Sequence, residues 1–167
     1  MKLKHFRRAI HWDQIILYFV AFWLCSHAFL VFACLFDLHT AENVRTLQPL
    51  DHSTFNTGSL NTYMAIGRVV GIFIGFAYAI SLARSRGGNW INPAIAFAVT
   101  LLLGLFNLLG WSQVKNVFLS PGSIFSGALY YLVDGIILLL LGGAIIYFNH
   151  KMKKKKSEDR RGDVDFA

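Results

Sequence analysis

Four long runs of apolar residues alternate with polar and charged segments along the 167-residue chain. A helix of about 20 residues, rising about 1.5 Å per residue, crosses the roughly 30 Å hydrocarbon core of a bilayer. Each of the four runs is long enough to do so. The pattern predicts an all-α, polytopic integral membrane protein, a four-helix transmembrane bundle with spans at residues 15–36, 63–82, 91–111 and 129–148.

Basic segments flank the predicted bundle and divide the chain into three parts. Residues 1–14 place Leu3, Phe6 and Ile10 on one helical face among basic side chains, as in a short amphipathic helix at a membrane interface. Residues 15–148 form the predicted transmembrane domain. Residues 149–167 are strongly basic, and we expect this tail to be disordered.

The positions of the positive charges predict the orientation of the chain. Of the 16 Lys and Arg residues, thirteen precede the first span, lie between the second and third, or follow the fourth. Arg45 and Lys115 are the only cations in the other two connections. Because cytoplasmic segments carry an excess of Lys and Arg, both termini are predicted to be cytoplasmic. We expect the membrane to be a bacterial cytoplasmic membrane.

The net charge of +7 indicates a lipid partner rather than a nucleic acid. Each Lys or Arg near an anionic membrane surface contributes about 1 kcal/mol to binding, so the basic ends are predicted to contact anionic lipid headgroups. No aromatic-interleaved basic fold accompanies the charge, and we therefore predict no nucleic-acid binding.

Small residues recur every four positions along the second predicted span. In lipid no hydrophobic force drives helices together, and small residues let two backbones approach closely. We expect a helix contact along this ridge, either within the chain or with a second copy in a homodimer. The members of the ridge are Gly67, Gly71, Gly75, Ala79 and Ala83.

Two charged residues, Arg68 and Asp134, lie inside predicted spans, each at the sixth position of its span. A charge in hydrocarbon costs about 2.5–3.5 kcal/mol even on the translocon scale, so it usually faces the protein interior with a partner. Both spans run from outside to inside, which predicts equal depth in the outer leaflet. A guanidinium can bind a carboxylate in a bidentate manner, so we predict that the two groups pair.

The sequence leaves three interpretations of these charges open. They form a structural clamp between the second and fourth spans, or an outward-facing polar site for a headgroup or ion. In the third interpretation each group snorkels separately to the outer interface. The other side chains predicted to line such a site, or to seal it, are His27, Asn107, Tyr63, Tyr130 and Tyr131.

No pattern in the chain indicates a cofactor, a metal or a catalytic centre. His27 is the only histidine within the four predicted spans, whereas haem in a bundle needs a second axial ligand at matching depth. The acidic and histidine residues of the 37–60 connection match no regular metal-ligand spacing. Phosphate-binding loops, nucleophile elbows and CxxC pairs are also missing from the sequence.

These features favour a non-catalytic multi-pass membrane protein that is a subunit or accessory of a larger membrane assembly. The alternative is a small transporter, flippase or channel whose polar site contains Arg68 and Asp134. The two hypotheses differ in one property, because transport needs an aqueous path to that pair and a clamp does not.

Overall fold

The apolar runs are helical in the computed structural model, which describes residues 10–46, 58–85, 89–105 and 124–162. Helix α1, Trp12–Ala33, continues through a 3-10 turn, Cys34–Asp37, into the short helix α2, Leu38–Thr46. The remaining helices are α3 (Gly58–Ser85), α4 (Ile91–Leu105) and α5 (Ala128–Gly162). All regular secondary structure in the described ranges is helical.

Three helical stretches are long and apolar enough to cross a membrane: Trp12–Asn43, Gly58–Ser85 and Ala128–Lys151. They contain the first, second and fourth predicted spans. Helix α4, at the third predicted span, is a shorter apolar helix, and residues 106–111 of that span lie outside the described residues. Within residues 63–78 of α3 and 129–148 of α5, the exposed side chains are all apolar or aromatic, as expected for surfaces in contact with lipid.

Helix α1 is the central helix of the bundle. It packs most extensively against α3 and α5 and less against α4, while α3 also contacts α4 and α5. Every residue from 21 to 33 of α1 is buried or half-buried, whereas Trp12, Ile16 and Val20 in its first half are exposed. The bundle is therefore organised around one enclosed helix.

The small-residue ridge of α3 faces α1 of the same chain. A β-carbon added to Gly71 would lie 2.7 Å from Ser26 Cα and would overlap the carbonyl group of Cys25. Because α1 covers this ridge, a homodimer through the same face would have to displace α1. All five members of the ridge are buried, namely Gly67, Gly71, Gly75, Ala79 and Ala83.

A second glycine face, on α5, also approaches α1. A β-carbon on Gly142 would lie 2.8 Å from Cys25 Sγ and 3.0 Å from the carbonyl oxygen of Ala21. Gly135, seven residues earlier and thus on the same helical face, lies against the ring of Phe32. The small side chain of Cys25 therefore occupies the space between α3 and α5.

Hydrogen bonds join three helices at the end of the bundle where α1 begins. The side-chain oxygen of Gln14 accepts a hydrogen bond from Asn92 Nδ2 of α4 at 2.8 Å. Its backbone carbonyl accepts one from Asn149 Nδ2 of α5 at 3.5 Å. One turn further along, Tyr18 Oη and His150 Nδ1 are 3.5 Å apart. Asn92 is fully buried, so these bonds satisfy amide groups that would be costly to leave without partners.

The sequence predicts two terminal segments, a basic tail and an interfacial N-terminal helix. Helix α5 continues to Gly162 and so includes residues 149–162 of the basic tail. Lys, Arg and Glu are good helix formers, and no Gly or Pro interrupts residues 149–161. At the other end, residues 1–9 of the predicted interfacial segment lie outside the described residues, and α1 begins at Trp12.

The glycine contacts lead to a prediction that has a control in the adjacent residue. We expect Gly142→Ala to destabilise the protein by about 1–3 kcal/mol, because the new methyl group overlaps Cys25 and the backbone of α1. The nearest atom to a β-carbon on Gly143 is 4.0 Å away, so Gly143→Ala should be neutral or slightly stabilising. Thermal unfolding in detergent measures both variants, and equal stability of the two would contradict the close contact.

Candidate functional site

The contacts around Cys25 show how deep Arg68 and Asp134 lie in the bundle. β-Carbons on Gly75 of α3 and Gly142 of α5 would lie 3.4 Å and 2.8 Å from Cys25 Sγ, so these glycines lie at nearly the same depth. Arg68 precedes Gly75 by seven residues, and Asp134 precedes Gly142 by eight. At about 1.5 Å per residue, the Cα atoms of the two charged residues differ in depth by only about 2 Å.

Asp134 lies on the buried face of α5. The residue is only 7% exposed, and its Oδ1 has no hydrogen-bond partner among the described residues. Tyr131 and Leu138, about one turn away on either side, belong to the hydrophobic cluster at the α2 end of the bundle. A buried polar atom without a hydrogen-bond partner is costly in free energy. Asp134 is therefore the main candidate for a functional role among the described side chains.

Arg68 lies beside the same cluster. Met64, one turn before it on α3, packs against the cluster that contains Tyr131 and Leu138. The arginine residue is half-buried, and its Nε is enclosed by protein. The two charges therefore lie at similar depth on helices that share one apolar cluster, and their direct pairing stays a prediction.

A polar network joins α2 to the start of α5, about one to two turns before Asp134. Arg45 of α2 donates hydrogen bonds from Nε (3.1 Å) and Nη2 (2.7 Å) to the carboxylate of Glu42. The hydroxyl group of Tyr131 and the backbone N–H of Gly127 face the same carboxylate. The guanidinium carbon of Arg45 lies 4.7 Å from the centre of the Tyr130 ring. We call these five residues the latch, because they fasten α2 to the start of α5.

The electrostatics of the latch favour contact between α2 and the start of α5. Glu42 is placed at the N-terminus of α5, where the helix dipole stabilises a negative charge. Hydrogen bonding to Glu42 raises the pKa of the Arg45 guanidinium above its ordinary value, so this group stays charged. Gly127 has a φ of 61°, in the left-handed region that favours glycine, and this conformation forms the turn into α5.

A second set of bonds fastens the other end of α2. Asp37 Oδ1 accepts a hydrogen bond from the backbone N–H of Thr40 at 3.3 Å and caps the start of the helix. Its Oδ2 accepts a hydrogen bond from Ser59 Oγ of α3 at 2.9 Å. Phe36 and Tyr63 pack nearby with ring centres 5.8 Å apart. Helix α2 is thus attached to α3 and to α5.

The other predicted site residues have separate locations. His27 is buried in α1 and stacks on Trp23 with ring centres 5.7 Å apart. Tyr131 is buried, and the Tyr130 ring meets it edge to face with ring centres 4.8 Å apart. Asn107 lies outside the described residues. Within the described ranges, no three His, Cys, Asp or Glu side chains come together in a manner suited to a metal ion.

The roles of Glu42 and Arg45 were not predicted from the sequence. Both lie in the polar 37–60 connection, and in the structure Arg45, bonded to Glu42, packs on Tyr130 near the start of α5. One signal was present, since Glu42 and Arg45 are three residues apart, a spacing that pairs opposite charges on a helix. The contact with Tyr130 depends on tertiary structure and has no local signal.

Three apolar helices long enough to cross a membrane, with apolar exposed surfaces, indicate that this chain is a helical integral membrane protein. Comparison with protein-family models, with curated proteins and with solved structures finds no match. The function is therefore argued from the site itself.

A double-mutant cycle tests the predicted coupling of the two membrane charges. Removing one member of a buried pair typically costs about 3–5 kcal/mol, and less where headgroup water is within reach. We expect Arg68→Ala and Asp134→Ala to destabilise individually, and the double variant to lose less than the sum of both. Strict additivity of the three free energies of unfolding, measured in detergent, would show that the side chains do not interact.

Proposed function

We propose that this protein is a non-catalytic, four-span membrane protein that serves as a subunit or accessory of a larger membrane assembly. Both termini are cytoplasmic, and α2 lies on the outer side, in a bacterial cytoplasmic membrane. The basic segments at the two ends bind anionic lipid headgroups at the cytoplasmic face. This proposal combines the cation distribution with the helices that are long enough to span.

The observation that carries the proposal is the burial of Asp134 and of its neighbour Tyr131 on α5. Asp134 is 7% exposed, and Tyr131, three residues before it on α5, is 5% exposed and packs in one hydrophobic cluster with Ala41 of α2. A protein that transports polar substrates needs a hydrated path to its polar groups. The burial of Asp134 supports a structural role for this residue within an assembly subunit.

A small transporter, flippase or channel is a second candidate, favoured by one specific observation. Asp134 Oδ1 is buried without a hydrogen-bond partner among the described residues, which is unusual for a purely structural group. Charge-neutral replacement separates the candidates. Asp134→Asn with Arg68→Gln should leave the cellular phenotype unchanged if the pair is structural, and should abolish it if the pair binds substrate.

Reporter fusions test the orientation. A reporter inserted at position 50, in the connection that follows α2, should be active only outside the cytoplasm, whereas a reporter at the C-terminus should be active only inside. The thirteen-to-two distribution of cations is the physical reason. Reporters that give the same signal at both positions would overturn the four-span topology.

Co-purification in mild detergent with mass spectrometry tests the assembly role, and we expect a stoichiometric membrane partner. Two exposed faces give matched variants, Val70→Ala with Ile74→Ala on α3 and Leu140→Ala with Leu141→Ala on α5. Truncation on the face that binds the partner should weaken co-purification, and truncation on the lipid-facing side should not. A monodisperse protein of the mass of one chain in every sample would contradict the proposal.

A further inference from the structure

At the end of the bundle where α1 begins, hydrogen bonds around Gln14 align three helices. The side-chain oxygen of Gln14 accepts a hydrogen bond from Asn92 of α4, and its carbonyl oxygen accepts one from Asn149 of α5. The backbone N–H of His11 also donates to Asn92 Oδ1 at 3.2 Å. These bonds hold the start of α1, the start of α4 and the end of the apolar part of α5 at one level.

Two residues beyond these bonds, away from the centre of the bundle, each of the three helices carries an exposed side chain. Trp12 of α1 is 70% exposed, and Trp90, just before α4, is 63% exposed. Lys151 of α5 is also exposed. Two residues of helix correspond to about 3 Å, so these three residues lie within a few ångströms of one level.

Helix α3 contributes Arg84 to the same level. Ala79 of α3 packs in one hydrophobic cluster with Ile15 and Tyr18 of α1. Arg84 is exposed and lies about 7.5 Å beyond Ala79 along α3. Trp12 lies about 4.5 Å beyond Ile15 along α1, in the same direction, so the heights of Trp12 and Arg84 are similar. We call these four exposed residues the belt: Trp12, Arg84, Trp90 and Lys151.

The belt has the composition of a protein surface in the headgroup layer of a membrane. Indole rings are enriched in this layer because they combine a large apolar surface with one N–H donor. Lys and Arg bind the phosphate groups of anionic lipids there. The three apolar stretches that are long enough to span a membrane end at Trp12, Ser85 and Lys151, within one residue of the belt. Composition and hydropathy therefore mark the same level.

We infer that the belt binds anionic phospholipid headgroups, with Arg84 and Lys151 on phosphate and the two indoles packed beside the glycerol groups. The inference rests on the proposed function, which assigns anionic lipid to this side of the membrane, and it names the residues that bind. It also places part of the basic tail beyond the lipid. Arg160 and Arg161 follow Lys151 along α5 by about 13–15 Å, whereas the headgroup layer is only about 5–8 Å thick.

Quenching of tryptophan fluorescence by brominated lipids tests the belt in the full chain, reconstituted into vesicles of phosphatidylcholine and phosphatidylglycerol. The difference between the parent and Trp12→Phe isolates the signal of Trp12, and Trp90→Phe isolates that of Trp90. We expect bromines near the headgroup end of the acyl chain to quench both indoles more than bromines near its methyl end. Brominated phosphatidylglycerol should quench more than brominated phosphatidylcholine at equal mole fraction.

Two matched double variants each remove two positive charges from this end of the protein. Arg84→Gln with Lys151→Gln should lower the preference for phosphatidylglycerol, measured as the ratio of the two apparent binding constants, by about fivefold, the effect of one cation near an anionic surface. Arg160→Gln with Arg161→Gln should leave this ratio within about twofold of the parent, because charges beyond a Debye length are screened. Thermal unfolding should be the same in both variants, since neither changes a buried residue.

Four results would overturn the inference. These are stronger quenching by bromines deep in the acyl chain, equal quenching by the two lipids in the parent, an unchanged preference in the Arg84 and Lys151 variant, and an equal loss of preference in both double variants. The last result would assign lipid binding to the net charge of the chain. Both leaflets of the vesicles contain the same lipids, so none of these results depends on orientation. Reporter fusions and co-purification test the orientation and the assembly role separately.

Discussion

The close approach of α1 to two glycine faces is the contact on which the rest of the structure depends. Gly71 and Gly75 of α3 and Gly142 of α5 all lie against Cys25 or its immediate neighbours. In a membrane, where burial of apolar surface gives little net gain, dispersion contacts between closely packed backbones supply the stabilisation. A larger side chain at any of these positions would separate α1 from its neighbours and would also displace the groups at both ends of the bundle.

Polar contacts fix the arrangement that the glycines permit. At one end Gln14 bonds to α4 and α5, and at the other end Glu42 and Arg45 join α2 to α5. Dispersion contacts between apolar helices are weakly directional, whereas hydrogen bonds require particular atoms at particular distances. The central contact thus sets the distance between helices, and the polar ends set their order and depth.

The position of Asp134 connects this packing to function. Its depth follows from the register of α5 on α1, and the residue is only 7% exposed. A buried carboxylate in this location is compatible with a structural clamp between helices. The second candidate requires in addition a hydrated path that reaches this carboxylate.

Periodicity and composition alone determined the helical class, the four apolar runs and the small-residue ridge of α3, because these depend on local hydrophobicity and on the spacing of small side chains. Tertiary structure alone decided that α1 is central, that Gly142 belongs to a second glycine face, and that Arg45 packs on Tyr130. All four runs are similarly apolar, so hydropathy cannot rank them by burial. Contacts between residues far apart in the chain leave no periodic signal in a single sequence.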